Sequence, residues 1–72
     1  MSSAMLEDLL ERAEEQTRAG DRTKATALLR AAVDGATDDL ARKPTERTRA
    51  VRAVAAYQLA TLLLQDSKTA KE

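Results

Sequence analysis

Carboxylates, guanidinium groups, lysine amines and a few hydroxyls are the reactive groups in this 72-residue chain, which contains neither histidine nor cysteine. The commonest general base, the commonest metal ligand, the thiolate nucleophile and any disulfide framework are therefore missing. Acid–base catalysis by a carboxyl group would need apolar surroundings that raise its pKa. The densest acidic group, Asp34 with Asp38 and Asp39, has instead the spacing of a solvated helix face. Ser2, Ser3 and Ser67 lie towards the chain ends with no base beside them, and no glycine-rich phosphate loop occurs. The sequence predicts no catalysis, no metal and no cofactor.

The cationic groups are more concentrated. Arg42, Lys43, Arg47, Arg49 and Arg52 face only Glu46 within residues 42–52, five cations against one anion, a net of +4. Residues 1–20 lean the other way, with Glu7, Asp8, Glu11, Glu14 and Glu15 against Arg12 and Arg18, five anions against two cations, a net of −3. A basic run of this kind can meet phosphates. Against nucleic acid stand an overall charge of zero and a single aromatic, Tyr57, which offers no stacking platform. The same cations suit pairing with the acidic N-terminal segment or with acidic residues of a protein partner.

The elements that must carry these groups are helical. Alanine is the commonest residue and β-branched aliphatics are few, a composition that favours helix throughout. Leu6, Leu9, Leu10, Ala13 and Thr17 form one stripe at helical spacing, predicting a first helix over about 4–18. Ser2 or Ser3 can cap it, and Asp8–Arg12 and Glu14–Arg18 are i,i+4 pairs. Gly20 followed by Asp21 then closes one helix and caps the next. Ala25, Leu28, Leu29, Ala32, Val33, Ala36 and Leu40 keep helical phase past Gly35, so the second helix spans about 22–42. Pro44 ends it, and Pro44 or Thr45 starts a third helix over about 45–65. A polar tail, 66–72, follows.

The third helix is the unusual one. From Val54 to Leu64 only Gln58 and Thr61 are polar. At 100° per residue, Val51, Val54, Ala55, Leu59 and Leu62 gather on one side. Ala53, Ala56, Tyr57, Ala60, Leu63 and Leu64 gather on the other. A helix apolar nearly all round is enclosed by neighbours or requires one, and two antiparallel helices cannot enclose it. The first helix, being shorter, is expected to leave the Gly35–Arg52 end uncovered.

The run Ala19-Gly20-Asp21, with Ala25, Leu28, Leu29, Ala32 and Val33 behind it, resembles the helical-hairpin centre of tetratricopeptide repeats. It is also similar to the three-helix microtubule-interacting and transport domains, which the helix count and Tyr57 in the last helix favour. The resemblance covers roughly residues 6–63. Arg22 and Leu29 stand where those families usually place aromatics. The resemblance implies a protein–protein module that takes a partner helix between helices two and three, at Leu29, Val33, Leu59 and Leu63, with Tyr57 near the rim.

The expected protein is thus one all-α domain, an antiparallel three-helix bundle that docks a protein partner. The partner is an amphipathic helix of another protein or a second copy of the chain. The expected contact residues are Leu29, Val33, Ala53, Ala56, Tyr57, Leu59, Ala60, Leu63 and Leu64, with the basic cluster as an electrostatic accessory. Self-association into a helical assembly element and a small nucleic-acid-binding regulator are the alternatives. No stretch of 18 apolar residues occurs, so no membrane span is expected and a cytoplasmic location is the default.

Overall fold

A computed structural model describes the backbone of residues 3–71 and the side chains of residues 4–65. Three helices follow one another: α1 (Ser3–Arg18), α2 (Arg22–Arg42) and α3 (Glu46–Lys71). They form the expected antiparallel bundle, with principal extents of 43 × 20 × 14 Å. α2 packs along both neighbours, whereas α1 and α3 touch each other little.

The turns have clear chemical causes. Gly20 adopts φ +85°, a left-handed conformation that glycine takes without strain. Its N–H donates to Thr17 O at 3.1 Å and the Asp21 N–H donates to Gln16 O at 2.9 Å, satisfying the last carbonyls of α1. The Asp21 carboxylate then accepts from the Lys24 N–H at 3.0 Å and caps α2. Lys43, before Pro44, is extended at φ −150°, ψ 93°, as the proline ring demands. Thr45, rather than Pro44, caps α3, its Oγ1 accepting from the Thr48 N–H at 3.2 Å.

α2 passes through Gly35 without interruption. α3 runs on to Lys71 instead of ending near Gln65, because neither Gly nor Pro follows to stop it and Lys68, Ala70 and Lys71 favour helix. Ser2, one of the two expected caps of α1, lies outside the described residues, and α1 begins at Ser3.

Two linked clusters make the core. Ala13, Ala25, Leu29, Ala32, Ala55 and Leu62 form one, with Leu9, Leu10, Leu28, Val33 and Leu59 packed against it. Leu6, Ala36 and Val51 form the other. Alanine at four of the six positions of the larger cluster lets the helices approach closely. The second cluster fixes the register: Leu6 in the first turns of α1 lies level with Ala36 and Val51. α1 therefore covers the end that was expected to stand open. α3 runs on past Leu62, which packs level with Ala13 and Ala25, so the overhang belongs to the C-terminal turns of α3.

Candidate helix-docking face

The inward side of α3 is fixed by Val51, Ala55 and Leu62, all buried, and by the buried Thr48, whose hydroxyl accepts from Thr45 Oγ1 at 2.8 Å. Residues half a turn away must then face solvent. Tyr57 is 75 % exposed, Leu64 65 %, Val54 46 % and Leu63 42 %. Ala53, Ala56 and Ala60 are exposed between them. The side expected to turn outwards does so, joined by Val54 from the other set. No charged residue occurs from Ala53 to Gln65, so this face is apolar over more than three turns.

Three positions assigned from the resemblance need correction. Leu29 is 1 % exposed and belongs to the core, where it fills the space left by the small buried residues Ala25 and Ala32. Val33 and Leu59 are half-buried against the same cluster. The four positions implied for a groove between α2 and α3 therefore leave only Leu63 open. On that side of α3 the depression lies further towards the α2–α3 turn, floored by Leu40, Ala53 and Ala56 with Arg49 and Arg52 at its edges.

A second groove, of about 340 Å³, opens between α1 and α3. Glu14, Thr17 and Arg18 form one wall, with Tyr57, Thr61 and Leu62 on the other. Thr17 was expected to continue the buried stripe of α1. It is exposed, and its hydroxyl donates to Ala13 O at 2.8 Å. Neither Val54 nor Leu40 stood out as a contact residue in the sequence. Each shares its stripe with core residues, and only the packing register reveals which end of a stripe stays open.

The basic cluster does not form one surface. Arg47 leans towards α1 and makes a two-pronged ion pair with Glu7, Nε to Oε1 at 2.5 Å and Nη2 to Oε2 at 2.9 Å. This contact lowers the Glu7 pKa, mainly through the hydrogen bond from Arg47, and raises that of Arg47 for the same reason. Arg42 pairs with Asp38 at 2.6 Å. Arg49 and Arg52 lie on the α2 side of α3 and make no ion pair among the described residues. Of the five cations within residues 42–52, Arg42 and Arg47 are thus engaged in ion pairs.

Among the described residues no three acidic side chains are placed to hold a metal ion. No described helix is long and apolar enough to cross a membrane. No protein-family model, curated protein or solved structure matches the chain, and the reading of this face rests on its own residues.

Proposed function

We propose that the chain is a non-catalytic protein–protein docking module that offers the outer face of α3 to a helix of a protein partner. The observation that carries this reading is the exposure of Val54, Tyr57, Leu63 and Leu64 on a helix whose opposite side is already committed to the core. Single exposed apolar residues are ordinary, but a contiguous apolar strip marks an interaction surface. An amphipathic helix engages such a strip through anchors at i, i+3, i+4 and i+7. Tyr57 is the natural central anchor, being aromatic and the most exposed of the four large side chains on α3. The likeness to tetratricopeptide and microtubule-interacting and transport modules supports the same class of function, with the working face moved from the α2–α3 groove to the outside of α3. We place the chain in the cytoplasm, where a protein without cysteine folds with no need of an oxidising environment.

Site-specific photocrosslinking in cells tests this. A benzoylphenylalanine in place of Tyr57 is expected to give a discrete covalent protein adduct. The same group in place of Arg30, exposed on α2, is expected to give none. Absence of an adduct at 57 above the level at 30 would overturn the docking reading.

A further inference from the structure

We infer that the helix fitting this face is α3 of a second copy of the chain, laid antiparallel to the first. This rests on the docking reading above and adds the occupant. Ala50, Ala53, Tyr57, Ala60 and Leu64 recur along α3 at alternating steps of three and four, the spacing that keeps one seam turned to a neighbouring helix. Place two copies antiparallel with Tyr57 opposite Ala60 of the second copy. Ala53 then meets Leu64 of the second copy, and two-fold symmetry repeats both contacts. Beside the seam, the same register sets Ala56 against Leu63 and Val54 against Thr61. Tyr57, Leu63 and Leu64 thus each meet an alanine, and Val54 meets the isosteric Thr61. A parallel pair would stack Tyr57 on Tyr57 and Leu64 on Leu64, hold the helices apart there, and leave Ala53 and Ala60 facing voids.

Charge selects the same direction. Arg49 and Arg52, which make no ion pair among the described residues, lie in the first two turns of α3, where the helix dipole disfavours cations. Antiparallel pairing brings them beside the C-terminal turns of the other α3, where the negative end of the dipole and Asp66 stand against Lys68 and Lys71. Parallel pairing would gather the arginines of both copies at one end. Between these ends the seam is uncharged, so no ion leaves water. The four large exposed side chains offer on the order of 400 Å² per copy, within the range of patches that are functional. Counted from both copies these side chains offer about 800 Å², the scale of a weak pair that forms only at high concentration. Val54 of one copy then sits at the mouth of the α1–α3 groove of the other, beside Thr61.

The native chain lacks cysteine, which makes the register testable by disulfide trapping. At about 100 µM, well above a micromolar dissociation constant, light scattering is expected to give twice the 7.8 kDa chain mass. L64D, at an exposed position, is expected to return to 7.8 kDa with its helical circular dichroism retained. Under mild oxidation the A53C/L64C double variant is expected to form a covalent dimer. A53C alone is expected not to, because antiparallel register holds the two copies of position 53 about 16 Å apart along the axis. Cross-linking of A53C by itself would establish a parallel pair and overturn the inference. A wild-type chain that stays at the monomer mass and an untrapped A53C/L64C variant would also overturn it. In that case an adduct at position 57 with a different protein would leave the docking reading standing, whereas no adduct would remove both.

Discussion

At the scale of single residues, Glu7 and Arg47 join the two helices that touch least, across forty positions of sequence. The Glu7 pKa is lowered in the folded chain, so its contribution is present above the ordinary carboxylate value and lost as pH falls through the lower folded one. E7Q is therefore expected to melt below the wild type at pH 7, with the gap closing as pH falls below about 4. The gap should also shrink in 1 M salt, since both partners are exposed. Thermal melts at several pH values measure this, and a gap independent of pH would rule the pair out as its cause. A second contrast concerns leucines. L29A empties a filled core position and is expected to cost about 2–5 kcal/mol. L64A, read at dilutions where the chain is monomeric, is expected to cost under about 0.5 kcal/mol. Denaturant titration of both variants tests this, and equal losses would place Leu64 in the core. The local pairs Asp8–Arg12, at 3.0 Å, and Glu14–Arg18, at 3.9 Å, were legible because helical spacing alone dictates them. Glu7–Arg47 was not, because no local rule relates residues so far apart.

Helix ends govern the scale of elements. Thr45 both caps α3 and hydrogen-bonds the buried Thr48 hydroxyl, so T45A removes two bonds and is expected to destabilise by about 1–2 kcal/mol. T45S, which keeps the oxygen, should stay close to wild type. G20A meets no steric obstacle, and its expected loss of about 1 kcal/mol comes from the positive φ alone. A substitution there that proved neutral in urea unfolding would mean that the turn relaxes to another conformation. These boundaries were readable because Gly20, Asp21, Pro44 and Thr45 act within a few residues of themselves. α3 continues past the expected end near Gln65 to Lys71, because polar composition is not a stop signal. Polarity describes the solvent a helix faces, and only Gly or Pro changes what its backbone can do. The inward and outward sides of α3 were separable from periodicity, apart from Val54, whose stripe runs out of neighbour to cover it.

The whole molecule is organised around α2, which lies between the other two helices and contributes four fully buried or nearly buried residues, Ala25, Leu29, Ala32 and Ala36. Native-state hydrogen exchange is expected to find the slowest amides around Leu29 and the earliest opening in α1, the shorter outer helix. Exchange from α1 as slow as from α2 would show that the bundle opens only as a unit. Three helices and their antiparallel order followed from the sequence, but their longitudinal register did not. Helix lengths say that some end must protrude. The cluster of Leu6, Ala36 and Val51 decides which end it is, and a contact among three segments leaves no trace in the period of any one of them.

Because α1 and α3 run in the same direction on either side of α2, chain enters the bundle at one pole and leaves at the other. Tension applied between those poles would load the helix contacts in shear along the 43 Å axis, so the side chains at each interface would resist together instead of parting one after another. A helical hairpin, with both ends at one pole, would instead unzip under the same load.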